Sequence, residues 1–127
     1  MIKVAAFLLC RRLTHSREGY NLGGVFRVLP AKRIPFALQE LSVYVLLADV
    51  RPEHRGILNL QIAAVQDGNE LLLWQEAALF DPDPADPRKE TVWIINELRF
   101  PVAGSYEARL WQGDILLDIA AFEVRKS

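Results

Sequence analysis

The chain has 127 residues, about half of them apolar, which is enough to build one core without a metal or a disulfide. Its 15 basic and 16 acidic side chains nearly cancel, so no global field draws in nucleic acid or an anionic membrane. The single cysteine excludes an internal disulfide, and no segment approaches the roughly 18 continuous apolar residues of a membrane helix.

The first apolar run, Ile2 to Cys10, is too short for a secretory leader, and Leu9 directly before Cys10 does not suit a cleavage site. It reads as a first strand. Cys10 beside Phe7, Leu8 and Leu9 is then a buried, unreactive thiol, which fits a reducing cytoplasm. Arg11 to Asn21 is polar and reads as a loop. Val25 to Leu29 forms a second run that Pro30 stops, because proline has no N–H to donate to a ladder. Ala31 to Phe36 then carries the chain across an edge.

Leu41 to Leu47 is the third strand, with Leu41, Val43, Val45 and Leu47 on one face. Gly56 to Val65 alternates Leu58, Leu60, Ile62 and Ala64 against Ile57, Asn59, Gln61 and Ala63, and Asp67-Gly68 turns it into a return strand, Glu70 to Phe80. Three prolines between Asp81 and Pro87 exclude both helix and ladder, so this segment crosses between sheets. In Thr91 to Phe100 the residues Val92, Ile94, Leu98 and Phe100 share one phase, with Trp93 and Ile95 opposite. Tyr106 to Trp111 and Ile115 to Val124 form a final hairpin around Gln112-Gly113-Asp114. Short strands at this rhythm predict an all-β, antiparallel sandwich of about eight strands, forming a single domain over residues 1–127.

The stretch Leu98-Arg99-Phe100-Pro101-Val102-Ala103-Gly104-Ser105-Tyr106, followed by an alternating strand and a Gly-Asp hairpin, resembles the terminal hairpin of bacterial immunoglobulin-like domains. Together with Lys3 to Cys10 and Gly24-Val25-Phe26, it is also similar to a family of small uncharacterised bacterial β-sandwich proteins. The resemblance implies an immunoglobulin-like sandwich, with Tyr106 at a tyrosine corner. It implies no activity, since that family has none assigned.

Chemistry leaves few signatures. His15 and His54 lie in polar segments away from any ligand spacing with Cys10, which argues against a zinc or copper site. Asp81, Asp83 and Asp86 are the best calcium candidates, but the Asp-x-Asp spacing lacks the glycine and distal glutamate of a calcium loop, so a solvated turn is the favoured reading. No serine stands in a nucleophile elbow, and no glycine cluster precedes a helix. The expectation is therefore a protein without catalytic residues, metal or cofactor.

Surfaces carry what remains. Trp74, Trp93 and Trp111 are the candidate binding residues, as a protein interface or a sugar-stacking platform, with burial by a second sheet or a phase-shifting bulge as the alternative. Arg11-Arg12, Arg17 and Lys32-Arg33 have no interleaved aromatics and read as solvated loops. The functional expectation is a protein-binding or assembly module that forms a homo-oligomer, in its simplest form a homodimer, or meets a protein partner. It binds neither nucleic acid nor membrane. A carbohydrate-binding module using the tryptophans is the alternative.

Overall fold

The computed structural model describes residues 2–127. Its strands follow in the order β1 (Lys3–Ser16), β2 (Gly19–Val25), β3 (Val28–Ala31), β4 (Phe36–Ala48), β5 (Gly56–Gln66), β6 (Asn69–Phe80), β7 (Lys89–Phe100), β8 (Gly104–Gln112) and β9 (Ile115–Lys126). One sheet has the order β2-β1-β4-β7 and the other β3-β9-β8-β5-β6. The chain changes sheet after β2, β3, β4, β6 and β7, so β4 pairs with β7 while β5, β6, β8 and β9 lie opposite. This is the connectivity of an immunoglobulin-like β-sandwich.

Period-2 alternation places Leu41, Val43, Val45 and Leu47 of β4 against Leu58, Leu60 and Ile62 of β5 and Ala108 and Leu110 of β8, all in one apolar core. Phe100, Tyr106 and Phe122 meet at its lower end, with ring centroids 5.1 Å apart for Phe100–Tyr106 and 5.6 Å for Tyr106–Phe122. The Tyr106 hydroxyl donates to the backbone carbonyl of Val102. The expected tyrosine corner is present. Both expected hairpins form: Asp67 and Gly68 turn with positive φ between Gln66 and Asn69, and Gly113-Asp114 turns between Gln112 and Ile115.

Four local expectations are corrected. Arg11 to Asn21 is not a loop: β1 continues to Ser16 and pairs with β2 down to Ser16↔Gly19. Apart from the paired Leu13 and Leu22 its aliphatic residues are few, so the ribbon carries no periodic apolar signal. Pro30 does not end pairing, because it sits in β3, a four-residue edge strand where its missing N–H faces no partner that needs it. β3 also runs parallel to β9, so the five-stranded sheet is mixed. Finally, the buried phase of β7 switches from Trp93 and Ile95 to Leu98 and Phe100. Glu97, with φ 57°, sits at the switch. β4 switches at the same level, from Leu38 to Leu41.

Candidate functional site

Because Leu58, Leu60 and Ile62 point into the core, Asn59 and Gln61 must point out. Register then sets Asn59 between Ala77 of β6 and Trp111 of β8, and Gln61 between Gln75 and Arg109. The side chains connect in a row across three strands. Trp111 Nε1 donates to Gln61 Oε1 at 2.9 Å, and Gln61 Nε2 donates to Gln75 Oε1 at 3.2 Å. Beside this row Arg109 makes two hydrogen bonds to the Glu70 carboxylate, at 2.7 and 3.1 Å, and one to Glu107 at 2.9 Å. These contacts hold Glu70 below the usual carboxylate range and raise Arg109 further. Apolar side chains frame the polar row: Ile57 is 57% exposed and Leu79 79%.

The three tryptophans do not form one platform. Trp93 lies in the core at 3% exposure, opposite Val43 on β4, so it takes no part in any surface. Its Nε1 has no hydrogen-bond partner among the described residues. Trp74 stands opposite Ile62, on the inner side of the sheet edge, half-buried against the core. Trp111 alone lies on the outer face, half-buried, with its N–H already engaged by Gln61. The amides Asn59, Gln61 and Gln75 were visible in the sequence only as the polar phase of two strands.

On the outer face of the other sheet, the Tyr44 hydroxyl donates to Glu90. Burial first, then that hydrogen bond and the Glu90 charge, push Tyr44 up to about 12. The Tyr20 ring stands edge-on to it at 5.9 Å, and His15 lies 4.7 Å from Tyr20. The aspartate loop is engaged locally: Asp81 pairs with Arg55 at 2.9 Å, Asp83 accepts from the Ala85 N–H and Asp86 from the Arg88 N–H. Among the described residues no three His, Cys, Asp or Glu side chains are grouped to hold a metal ion. Cys10 is fully buried, which raises its thiol pKa. Among the described residues no helix is long and apolar enough to cross a membrane.

A model of a family of unknown function, DUF6941, matches residues 5–125. The chain belongs to that family. No curated protein matches it. Among solved structures, an immunoglobulin-like protein from Pseudomonas aeruginosa is 18% identical over 98% of this chain and 97% of its own, with a TM-score of 0.49. An alkylpurine DNA glycosylase from Pseudomonas fluorescens is 11% identical with a TM-score of 0.55, and a β-glucosidase from Listeria innocua 10% identical with a TM-score of 0.51. Each match covers 98% of this chain but only 30% of the glycosylase and 16% of the glucosidase, and it is a likeness of fold.

Proposed function

We propose that this member of the family is a non-enzymatic assembly module whose five-stranded sheet pairs, through β6, with a second copy of the chain. The observation that carries the reading is the state of the sheet edges. β2 contains three glycines, β3 is four residues long with Pro30, and β7 is broken in phase at Glu97. β6 is an edge of twelve residues without Pro, Gly, Lys or Arg, bearing exposed Leu72 and Leu79. Proline, short length, edge cations and bulges are the usual guards against strand addition, and of these β6 has only the single bulge at Leu73.

An antiparallel β6 pair is self-complementary under two-fold symmetry. An axis at Trp74 sets Glu70 against Ala78 and Glu76 against Leu72, so no like charges oppose. The titratable clusters are compatible with a protein that does no chemistry. Arg109 is tied between two carboxylates, and Tyr44 is too weak an acid to serve as a base near neutrality. A reducing cytoplasm belongs to the same proposal, supported by the unpaired, buried Cys10.

Light scattering tests it: the wild type should weigh twice 14.4 kDa, and a Leu72→Lys, Leu79→Lys variant, altered only at exposed positions, should weigh 14.4 kDa. A wild type that stays monomeric from micromolar to submillimolar concentration would sink the proposal. A second reading rests on Trp111 and its amide row, since indole and carboxamide groups together suit sugar rings and hydroxyls. It requires a change in tryptophan emission on adding glycans that Trp111→Phe abolishes.

A further inference from the structure

β1 pairs with β4 only as far as Cys10↔Ser42 and then leaves it to form the ribbon with β2. The first residues of β4, Phe36 to Leu38 and Glu40, keep β7 as their partner and are open on the other side. The gap is a groove of about 830 Å³ with Arg11 and Arg12 on one wall and Phe36 to Glu40 on the other. A second depression shares Arg11 and Phe36 with it and adds Lys32 and Arg33 from the segment before β4. Two basic pairs far apart in sequence therefore flank one half-buried aromatic ring.

None of these four cations is in an ion pair among the described residues, and the only acidic side chain in either lining is Glu40. The Arg11 stem lies over Gly24. Gly24, with φ +66°, leaves room for that stem, and a Cβ there would stand 3.0 Å from Arg11 Cγ. Phe36 is fixed by stacking on Phe100, with centroids 6.1 Å apart and planes 17° from parallel.

We propose that this groove binds single-stranded nucleic acid, with Arg11, Arg12, Lys32 and Arg33 on successive backbone phosphates and Phe36 against a base. Three guanidinium groups and an ammonium strung over two adjoining depressions exceed what one small anion needs, and they match a ligand with phosphates repeated along a strand. A concave groove with a ring between cations suits an unpaired strand, whose bases are free to stack, better than a flat bilayer or a stiff duplex. In sequence the two basic pairs read as separate solvated loops, with no nucleic-acid binding expected, because they lie far apart in the chain and Phe36 is set off from Lys32-Arg33 by Ile34-Pro35. The groove involves neither β6 nor Trp111, so it stands or falls apart from the assembly proposal.

The test is fluorescence anisotropy of labelled single-stranded DNA and RNA of about twelve nucleotides, long enough to fill such a site. Four phosphate contacts on a single strand give a log–log salt slope near −3, so affinity should fall roughly fifty-fold between about 50 mM and about 200 mM salt. Arg11→Ala with Arg33→Ala should halve that slope while circular dichroism and melting stay as in the wild type. Phe36→Leu keeps an apolar contact to Phe100 and should weaken binding about tenfold. Absence of binding at the lower salt would overturn the proposal, as would a quadruple cation variant that binds like wild type. Preference for a duplex of equal length, or for phosphatidylserine vesicles over single strands, would overturn it too.

Discussion

The Tyr106 hydroxyl donates to the carbonyl of Val102, four residues upstream, while the Tyr106 ring sits at 0% exposure between Phe100 and Phe122. One side chain thus ties the turn before β8 to the floor of the core. Tyr106→Phe keeps the packing and leaves the Val102 carbonyl without this donor. It should cost about 1–2 kcal/mol in urea unfolding, with an unchanged m-value. A variant as stable as wild type would show that water replaces the hydroxyl.

Trp93 is enclosed by the core, so its truncation should act on stability and not on association. Trp93→Ala should destabilise by about 3–5 kcal/mol through the cavity it opens. Trp93→Phe removes an indole N–H that has no partner among the described residues, and the relief of that buried donor should offset much of the lost volume. Equal losses for the two variants, measured by denaturant midpoint, would mean that the N–H is satisfied in solution.

The strands and both two-residue hairpins were legible because apolar alternation and Asp-Gly or Gly-Asp turns are local signals. Tyr106 was legible for the same reason, sitting after a Pro-x-x-Gly turn. What lay hidden depends on single residues that break a period. The positive φ at Glu97 coincides with the phase switch that sends Trp93 inward, and because Val92 to Ile95 are apolar on both faces, alternation alone could not say which side is buried. A bulge on β6 beside Ile62 and Ala63 moves the pairing by one, and only this shift sets Gln75 opposite Gln61. The basic groove exists because β1 abandons β4 after Cys10, and a polar ribbon announces no such departure.

Glu70 and Arg109 give the outer face a defined response to acid. The Arg109 hydrogen bonds, then its charge, hold Glu70 below its ordinary value of 4.5. A carboxyl group depressed in the folded state contributes stability above its unfolded pKa and loses that contribution as pH falls through the folded value. Wild type should therefore lose stability more steeply from about pH 5 to about pH 3 than Arg109→Gln, whose Glu70 titrates at its ordinary value. Parallel stability curves for the two proteins would show that solvent screens this exposed pair.

Tyr44 gives the opposite face a response to base. Its hydroxyl, partly withdrawn from water and bonded to Glu90, ionises at about 12 in place of the ordinary 10. An acid whose pKa is raised by folding holds its proton more tightly in the native state, so its contribution is complete below 10 and disappears as pH rises through about 12. Burial raises Tyr106 as well, so the Tyr44 step, expected at about 12, is best followed by phenolate absorbance in a Tyr106→Phe background. Glu90→Gln removes the negative charge while keeping an acceptor of similar shape, so that step should move down toward 10 without reaching it, because burial is the largest cause. If the high step were unmoved by Glu90→Gln, burial alone would account for it, and the pairing of β4 with β7 at this point would carry no charge coupling.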